Sequence, residues 1–366
     1  MSLLKTKKFE TEFLNFVLEE KKHIDSHLKN YFIELIKNEP EFFMKEFYSK
    51  LRDFIMPVGG PTGPAKRTRP MCLIHTFFGI ANDEKVEKNL EAIRKISISI
   101  ELLHNASIIH DDVVEQNLIR RELPTFHNVF TSIFNNRNQN SYGDAELFGY
   151  GMSINGGDIC AFLGSSLITD SNFQTEIKSK ALEEYHKGYN SVVKGKIIEA
   201  FLALKSFANC TIEDYMIMTE AKAAQFDTAV TIGAILADTR LSQINPLRKA
   251  IKHLGVAYQI KKNIKALEST IKEKRRNIIL ITAYRNGSQK EKERIDELYN
   301  SKVEISQNGI QNIIEIIKKS GALDFLKMYS KNSLSQAEHE IDKIYPGLRS
   351  ESLEFFNKLF NFVLIE

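Results

Sequence analysis

Apolar side chains recur along most of this chain at the spacing of one helix face. Phe13, Phe16, Val17, Ile24 and Leu28 follow that pattern, as do Leu182, Tyr185, Tyr189, Val192 and Val193, and such stripes predict amphipathic helices. No run alternates apolar and polar residues as a half-buried strand does. Breakers cluster at Pro57–Pro64 (PVGGPTGP), Asn135–Gly143 (NNRNQNSYG), Asn155–Gly157, Asn245–Pro246 and Asn286–Gly287, dividing the chain into roughly ten or more helices. Neither a linker nor an internal repeat interrupts them, so the expectation is an all-α single domain over residues 1–366. Thr131 to Glu146 is expected to be a loop insertion, its Asn-rich composition suiting a surface excursion. The final stretch, SLEFFNKLFNFVLIE, is amphipathic and predicts core or dimer packing.

The 366 residues are 43 % hydrophobic and 27 % charged, the balance of an ordinary soluble globular protein. A net charge of +3 is too mild to argue for nucleic acid as a partner. Cys72, Cys160 and Cys210 stand far apart with no metal-ligand or disulfide spacing, which favours a reducing, cytoplasmic setting. The N-terminal MSLLKTKKFETEF is basic but has no long apolar run, so neither a signal peptide nor stable membrane insertion is expected.

The segment Glu101 to His127, ELLHNASIIHDDVVEQNLIRRELPTFH, changes the picture. Asp111, Asp112 and Glu115 stand at i, i+1 and i+4, so on a helix Asp111 and Glu115 share a face and Asp112 flanks it. Hard divalent cations such as Mg²⁺ bind through one or two carboxylates together with phosphate oxygens of a substrate. Alone, this spacing equally describes a solvated acidic face, and His104 or His110 alone equally describes a structural histidine. The context adds Arg120 and Arg121 just downstream and Lys66, Arg67 and Arg69 upstream in KRTRP, planar or point-charge donors suited to phosphate.

With these residues in hand, the chain resembles the polyprenyl synthase family, the trans-isoprenyl diphosphate synthases. The acidic segment resembles the family's first aspartate-rich motif, with Glu115 in place of the third Asp. KRTRP resembles its GKRxRP element, although Pro64 and Ala65 replace its glycines. GGDICAFLG (Gly156 to Gly164), VVKGKIIEAF (Val192 to Phe201), EAKAAQFDTAVTIGAILA (Glu220 to Ala237) and LGVAYQI (Leu254 to Ile260) resemble later motifs in the family's order. Lys196 stands where Gln or Glu is usual.

The resemblance implies an isoprenoid synthase fold, helices around a central substrate cavity, and a prenyltransferase that joins isopentenyl diphosphate to an allylic diphosphate. It implies Asp111, Asp112 and Glu115 as Mg²⁺ ligands, with Arg120, Lys222 and Gln259 assisting at the allylic diphosphate. Lys66, Arg69, His104 and Arg121 would bind isopentenyl diphosphate, and Arg67 is expected among the substrate-binding residues. Asp111, Asp112 and Lys222 are the expected catalytic residues, and homodimerisation is implied too, with a heteromer as the alternative.

One motif departs. Where the family places a second DDxxD after FQI, this chain has Lys262, Asn263 and Ala266, with Lys261 and Lys265 interleaved. Ammonium groups repel Mg²⁺ and offer it no lone pair, so a third metal is not expected. Three functions remain open: a prenyltransferase in which Lys262 or Lys265 contacts diphosphate directly, a non-catalytic or regulatory subunit of a heteromeric synthase, or a cyclase-like enzyme acting on one allylic diphosphate. In the family a bulky aromatic four or five residues before the first Asp stops elongation. Here those positions are Ser107 and Ala106, so a product of geranylgeranyl length or longer is expected, with Leu103 as the next obstacle.

Overall fold

A computed structural model describes residues 11–56, 65–137 and 143–364 of the chain. The helices are α1 (Leu18–Asn38), α2 (Phe42–Ile55), α3 (Thr68–Ile80), α4 (Asp83–Val114), α5 (Phe126–Arg137), α6 (Ala145–Thr169), α7 (Thr175–Leu204) and α8 (Ile212–Leu236). They continue with α9 (Leu241–Lys265), α10 (Leu267–Lys272), α11 (Ile278–Asn286), α12 (Gln289–Asn300), α13 (Gln307–Lys319), α14 (Ala322–Asp342) and α15 (Ser350–Val363). Among the described residues the one strand pair is a hairpin, β1 (Ile119–Arg120) against β2 (Leu123–Pro124). The fold is all-α, as the periodicity predicts.

The chain divides into two compact units, 14–187 with 228–239, and 1–13 with 188–227 and 240–366. In the first unit α4 packs along α6 and α3, and α6 along α5. Helix α4 is 32 residues long; Asn82 starts it by accepting Lys85 N at 2.8 Å, and Asp83 and Glu84 in its first turn oppose the positive end of the dipole. In the second unit α9 packs along α14 and α15. A core of Phe207, Tyr215, Ile260, Ile279, Ile281 and Ile313 fills the space beside α11, and α11 is itself started by Asn277, whose side chain accepts Leu280 N.

Three local expectations change. Asn155–Gly157 does not break the chain but lies inside α6. A Cβ at Gly157 would sit 2.1 Å from His110 Nε2, so glycine there serves the close approach of α6 to α4 rather than a turn. Pro246 is likewise inside α9, one turn from its start, where its missing N–H costs a single i→i−4 bond. Residues Thr131 to Arg137 of the expected loop continue α5, because Phe130 and Phe134 pack on Phe148 of α6. Residues 138–142, and the breaker at Pro57–Pro64, lie outside the described residues. The C-terminal stretch is core: Phe355, Phe356, Leu359, Phe360 and Phe362 are buried, and Phe13 packs on Phe355 and Phe362. All three cysteines are free and buried, and no described helix is long and apolar enough to cross a membrane.

Candidate functional site

In the first unit the C-terminal third of α4 carries an accessible ridge. His104, Ser107, Asp111 and Glu115 are half-buried at spacings of three or four residues, as are His110 and Val113, whereas Leu103, Ala106 and Asp112 are buried. The helix ends at Val114, and Glu115 caps it with helical dihedrals, so the one-turn spacing of Asp111 and Glu115 survives.

Asp112 behaves differently from its neighbours. Its carboxylate accepts Arg120 Nε at 2.8 Å on each oxygen and Arg120 Nη2 at 2.6 Å on Oδ1. The Asn117 amide bridges Asp112 Oδ1 and Glu115 Oε2 at 3.1 and 3.0 Å. Burial disfavours the Arg120 charge, but Asp112, Glu115 and Asp111 more than offset it and hold the guanidinium above its ordinary pKa. The hairpin delivers Arg120 to this place: Arg121 and Glu122 form its two-residue turn, both at positive φ (52° and 66°). Side chains without glycine's freedom rarely adopt that geometry.

Among the described residues no three His, Cys, Asp or Glu side chains are gathered closely enough to hold a metal ion by themselves. Asp111 and Glu115, one turn apart on the accessible ridge, suit a cation that draws the rest of its shell from phosphate and water, as Mg²⁺ does. Asp112, expected as a third ligand, is buried and paired with Arg120.

Lys66 is half-buried just before α3 and Arg69 is buried in its first turn. Arg67 is buried. Its guanidinium donates to Asp25 Oδ1 at 2.8 Å, Glu101 Oε1 at 2.5 Å and the Ile55 carbonyl at 3.0 Å, so each of its three nitrogens is engaged by a protein acceptor.

In the second unit, Lys222 of α8 donates to both oxygens of Glu199 on α7, at 2.8 and 2.9 Å, and Lys196 approaches the same carboxylate at 3.3 Å. Glycines set this approach: a Cβ at Gly195 would meet Ala221 Cβ at 3.0 Å, and one at Gly255 of α9 would meet Ala223 Cβ at 2.6 Å. Burial raises the Glu199 pKa, yet Lys222 and Lys196 outweigh it and leave the carboxyl below its ordinary range. Reading the sequence missed Glu199, although its i, i+3 relation to Lys196 was a visible signal.

Gln259 is buried on α9, and Lys262 and Lys265 are exposed in its last turn. Lys261 is not part of that exposed face. It is buried, donates to the Phe362 carbonyl at 2.5 Å, and lies 5.3 Å from the Phe362 ring centroid, so it caps the end of α15.

The family model of polyprenyl synthetase matches residues 60–317. This chain belongs to that family. As a polyprenyl synthetase it is an isoprenyl diphosphate synthase, a prenyltransferase of isoprenoid biosynthesis. It is 27 % identical over 272 residues to a short chain isoprenyl diphosphate synthase of Methanocaldococcus jannaschii, covering 70 % of this chain and 73 % of that one. It is 23 % identical to a geranylgeranyl diphosphate synthase of Saccharolobus solfataricus, covering 83 % and 89 %. Its fold is similar to that of a geranylgeranyl pyrophosphate synthase from Corynebacterium glutamicum solved with isoprenyl diphosphate and magnesium. That likeness has a TM-score of 0.81 at 20 % identity, over 93 % of this chain and 97 % of that one.

Proposed function

We propose that this polyprenyl synthetase joins isopentenyl diphosphate to an allylic diphosphate and releases a trans-polyprenyl diphosphate of geranylgeranyl length or longer. The carrying observation is the α4 ridge, where Asp111 and Glu115 present hard oxygens one turn apart while Ser107, on the same face, leaves the path for a growing chain open. Mg²⁺ bound there would neutralise the leaving diphosphate and lower the barrier to breaking the allylic C–O bond.

The chain's own residues do the rest. Asp112 holds Arg120 beside the acids as a donor for the allylic diphosphate. Lys66, Arg69, His104 and Arg121 receive isopentenyl diphosphate. Its homoallylic double bond attacks the allylic carbon, and the proton released from the new cation passes to the departing diphosphate. Within the second unit, Lys222 and Gln259 are diphosphate-binding residues in this reading, and Lys262 supplies positive charge where an acidic motif is usual. Free, buried cysteines support a reducing cytoplasmic setting, and we read the working form as a homodimer.

Lysines in place of the second acidic motif also favour a second reading, a regulatory subunit that needs a family partner. One assay separates the two: the purified chain with Mg²⁺, labelled isopentenyl diphosphate and allylic diphosphates of five to twenty carbons. Label in longer prenyl products is the expected result. Turnover that appears only when a second family member is added would overturn the first reading in favour of the second.

A further inference from the structure

Next in the chain to Lys66 and Arg69, Arg67 belongs to a cluster of charges in the first unit almost wholly removed from water. Glu101, Arg67 and Lys21 are 3 %, 4 % and 3 % exposed. Glu101 Oε1 takes Arg67 Nη1 and also Asn105 Nδ2, the latter at 3.1 Å. Through its other donors Arg67 reaches Asp25 on α1 and the Ile55 carbonyl at the end of α2, so one guanidinium ties α1, α2 and α4 to the segment leading into α3. Burial raises the Glu101 pKa, but Arg67, Arg121 and Arg69 outweigh it and hold the carboxyl below its ordinary range. Lys21 lies in the same field, lowered by burial and acted on by Asp25, Arg67, Glu101 and Arg121.

Stability does not call for this arrangement. Buried ion networks can often be replaced by apolar residues without loss, and their retention then reflects a demand for one specific geometry. The backbone carries that demand: Arg67 has φ 52°, a left-handed conformation that a side-chain-bearing residue keeps only where its surroundings over-determine it. That residue lies between Lys66 and Arg69 and sets how the chain enters α3. Arg69 and Arg121 each act on the Glu101 carboxylate by their charge, and a fixed anion of that kind reduces the cost of holding cations ready.

We propose that Glu101 and Asp25, acting through Arg67, are positioning residues that hold Lys66, Arg69 and Arg121 in the arrangement that receives isopentenyl diphosphate. The proposal rests on the reading that those three cations bind that substrate. Titration calorimetry of the full chain with isopentenyl diphosphate tests it without requiring turnover. Glu101→Gln and Asp25→Asn should each weaken binding about ten- to a hundredfold, the usual effect of removing a group that orients a ligand-binding residue. Affinity for an allylic diphosphate should be unchanged.

A merely structural role predicts the reverse, fewer competent sites with an unaltered dissociation constant, and that result overturns the proposal. Should Glu101→Gln fail to fold, Asp25→Asn carries the test, since that carboxylate lies at the edge of the cluster at 13 % exposure. Arg121→Ala is the gauge for the underlying reading. If it leaves isopentenyl diphosphate binding intact, both ideas fall; if it weakens binding while Asp25→Asn does not, the positioning role alone falls.

Discussion

The acids of α4 and the lysines of α9 occupy the same kind of place, the last turn of a long helix, and local physics treats them oppositely. A helix C-terminus carries roughly half a negative charge, so nearby cations are stabilised and nearby anions are not. Lys262 and Lys265 therefore sit where a helix favours them. Asp111, Asp112 and Glu115 sit where it does not, and the last turn of α4 contains no basic residue. Their compensation comes from the hairpin, through Arg120. An arrangement that opposes local preference calls for an explanation beyond folding, and binding of a cation supplies it. The lysine turn makes no such demand.

The contrast is most exposed to test at Asp111. Asp111→Asn should cut turnover about a thousandfold or more, since a bound metal supplies several kcal/mol of charge stabilisation and each 1.36 kcal/mol is tenfold. The same variant should be more stable by about 0.5 kcal/mol, because an anion has left a negative helix end. Steady-state assay and urea unfolding read the two effects, and a destabilised variant would break the argument from the dipole.

Placing acids on α9 inverts the experiment. Lys262→Asp with Asn263→Asp should cost about 1 kcal/mol of stability for the same reason, and should weaken diphosphate binding and lower turnover if Lys262 anchors substrate. Activity intact or raised would instead remove Lys262 from the binding site.

Within α4, the half-buried and buried faces should separate two neighbouring substitutions. Ser107→Phe should shorten the product, read by chromatography of the dephosphorylated chains. Ala106→Phe should chiefly destabilise, by about 1–3 kcal/mol, because that side chain points into packed interior. A product shift from Ala106→Phe in a protein of normal stability would place the chain's path on the other face.

The smallest effect is a pH dependence at Glu199. Its carboxyl pKa is lowered from 4.5 in the folded state, so the stability it contributes is present above that value and lost as pH falls through the folded pKa. Glu199→Gln should flatten the stability profile below pH 4.5, and identical acid profiles for the two proteins would refute the linkage.

Legibility followed the range of the interaction. The helical class, the acidic cluster, the flanking arginines and the altered turn at Lys262 could be read directly, because periodicity and residue chemistry are local. The misread breakers at Gly157 and Pro246 were local signals overruled by contacts or position, the first by the His110 ring across a helix pair. Arg67 read as one more phosphate ligand in KRTRP, and nothing in that segment reveals that its partners lie at Asp25 and Glu101. Lys261 and Lys262 are adjacent and chemically identical, yet one caps a distant helix and the other is exposed.

By itself, then, the amino-acid order determined the all-α class, the family and the residue types available for diphosphate chemistry, since these depend on spacing along one chain. Only the tertiary structure decided which cations are buried against protein acceptors, as Arg67 and Lys261 are, and which residues of α4 are accessible. Those outcomes depend on partners dozens to a hundred residues away, and a buried charge is assigned by whatever acceptor three-dimensional packing brings within hydrogen-bonding reach.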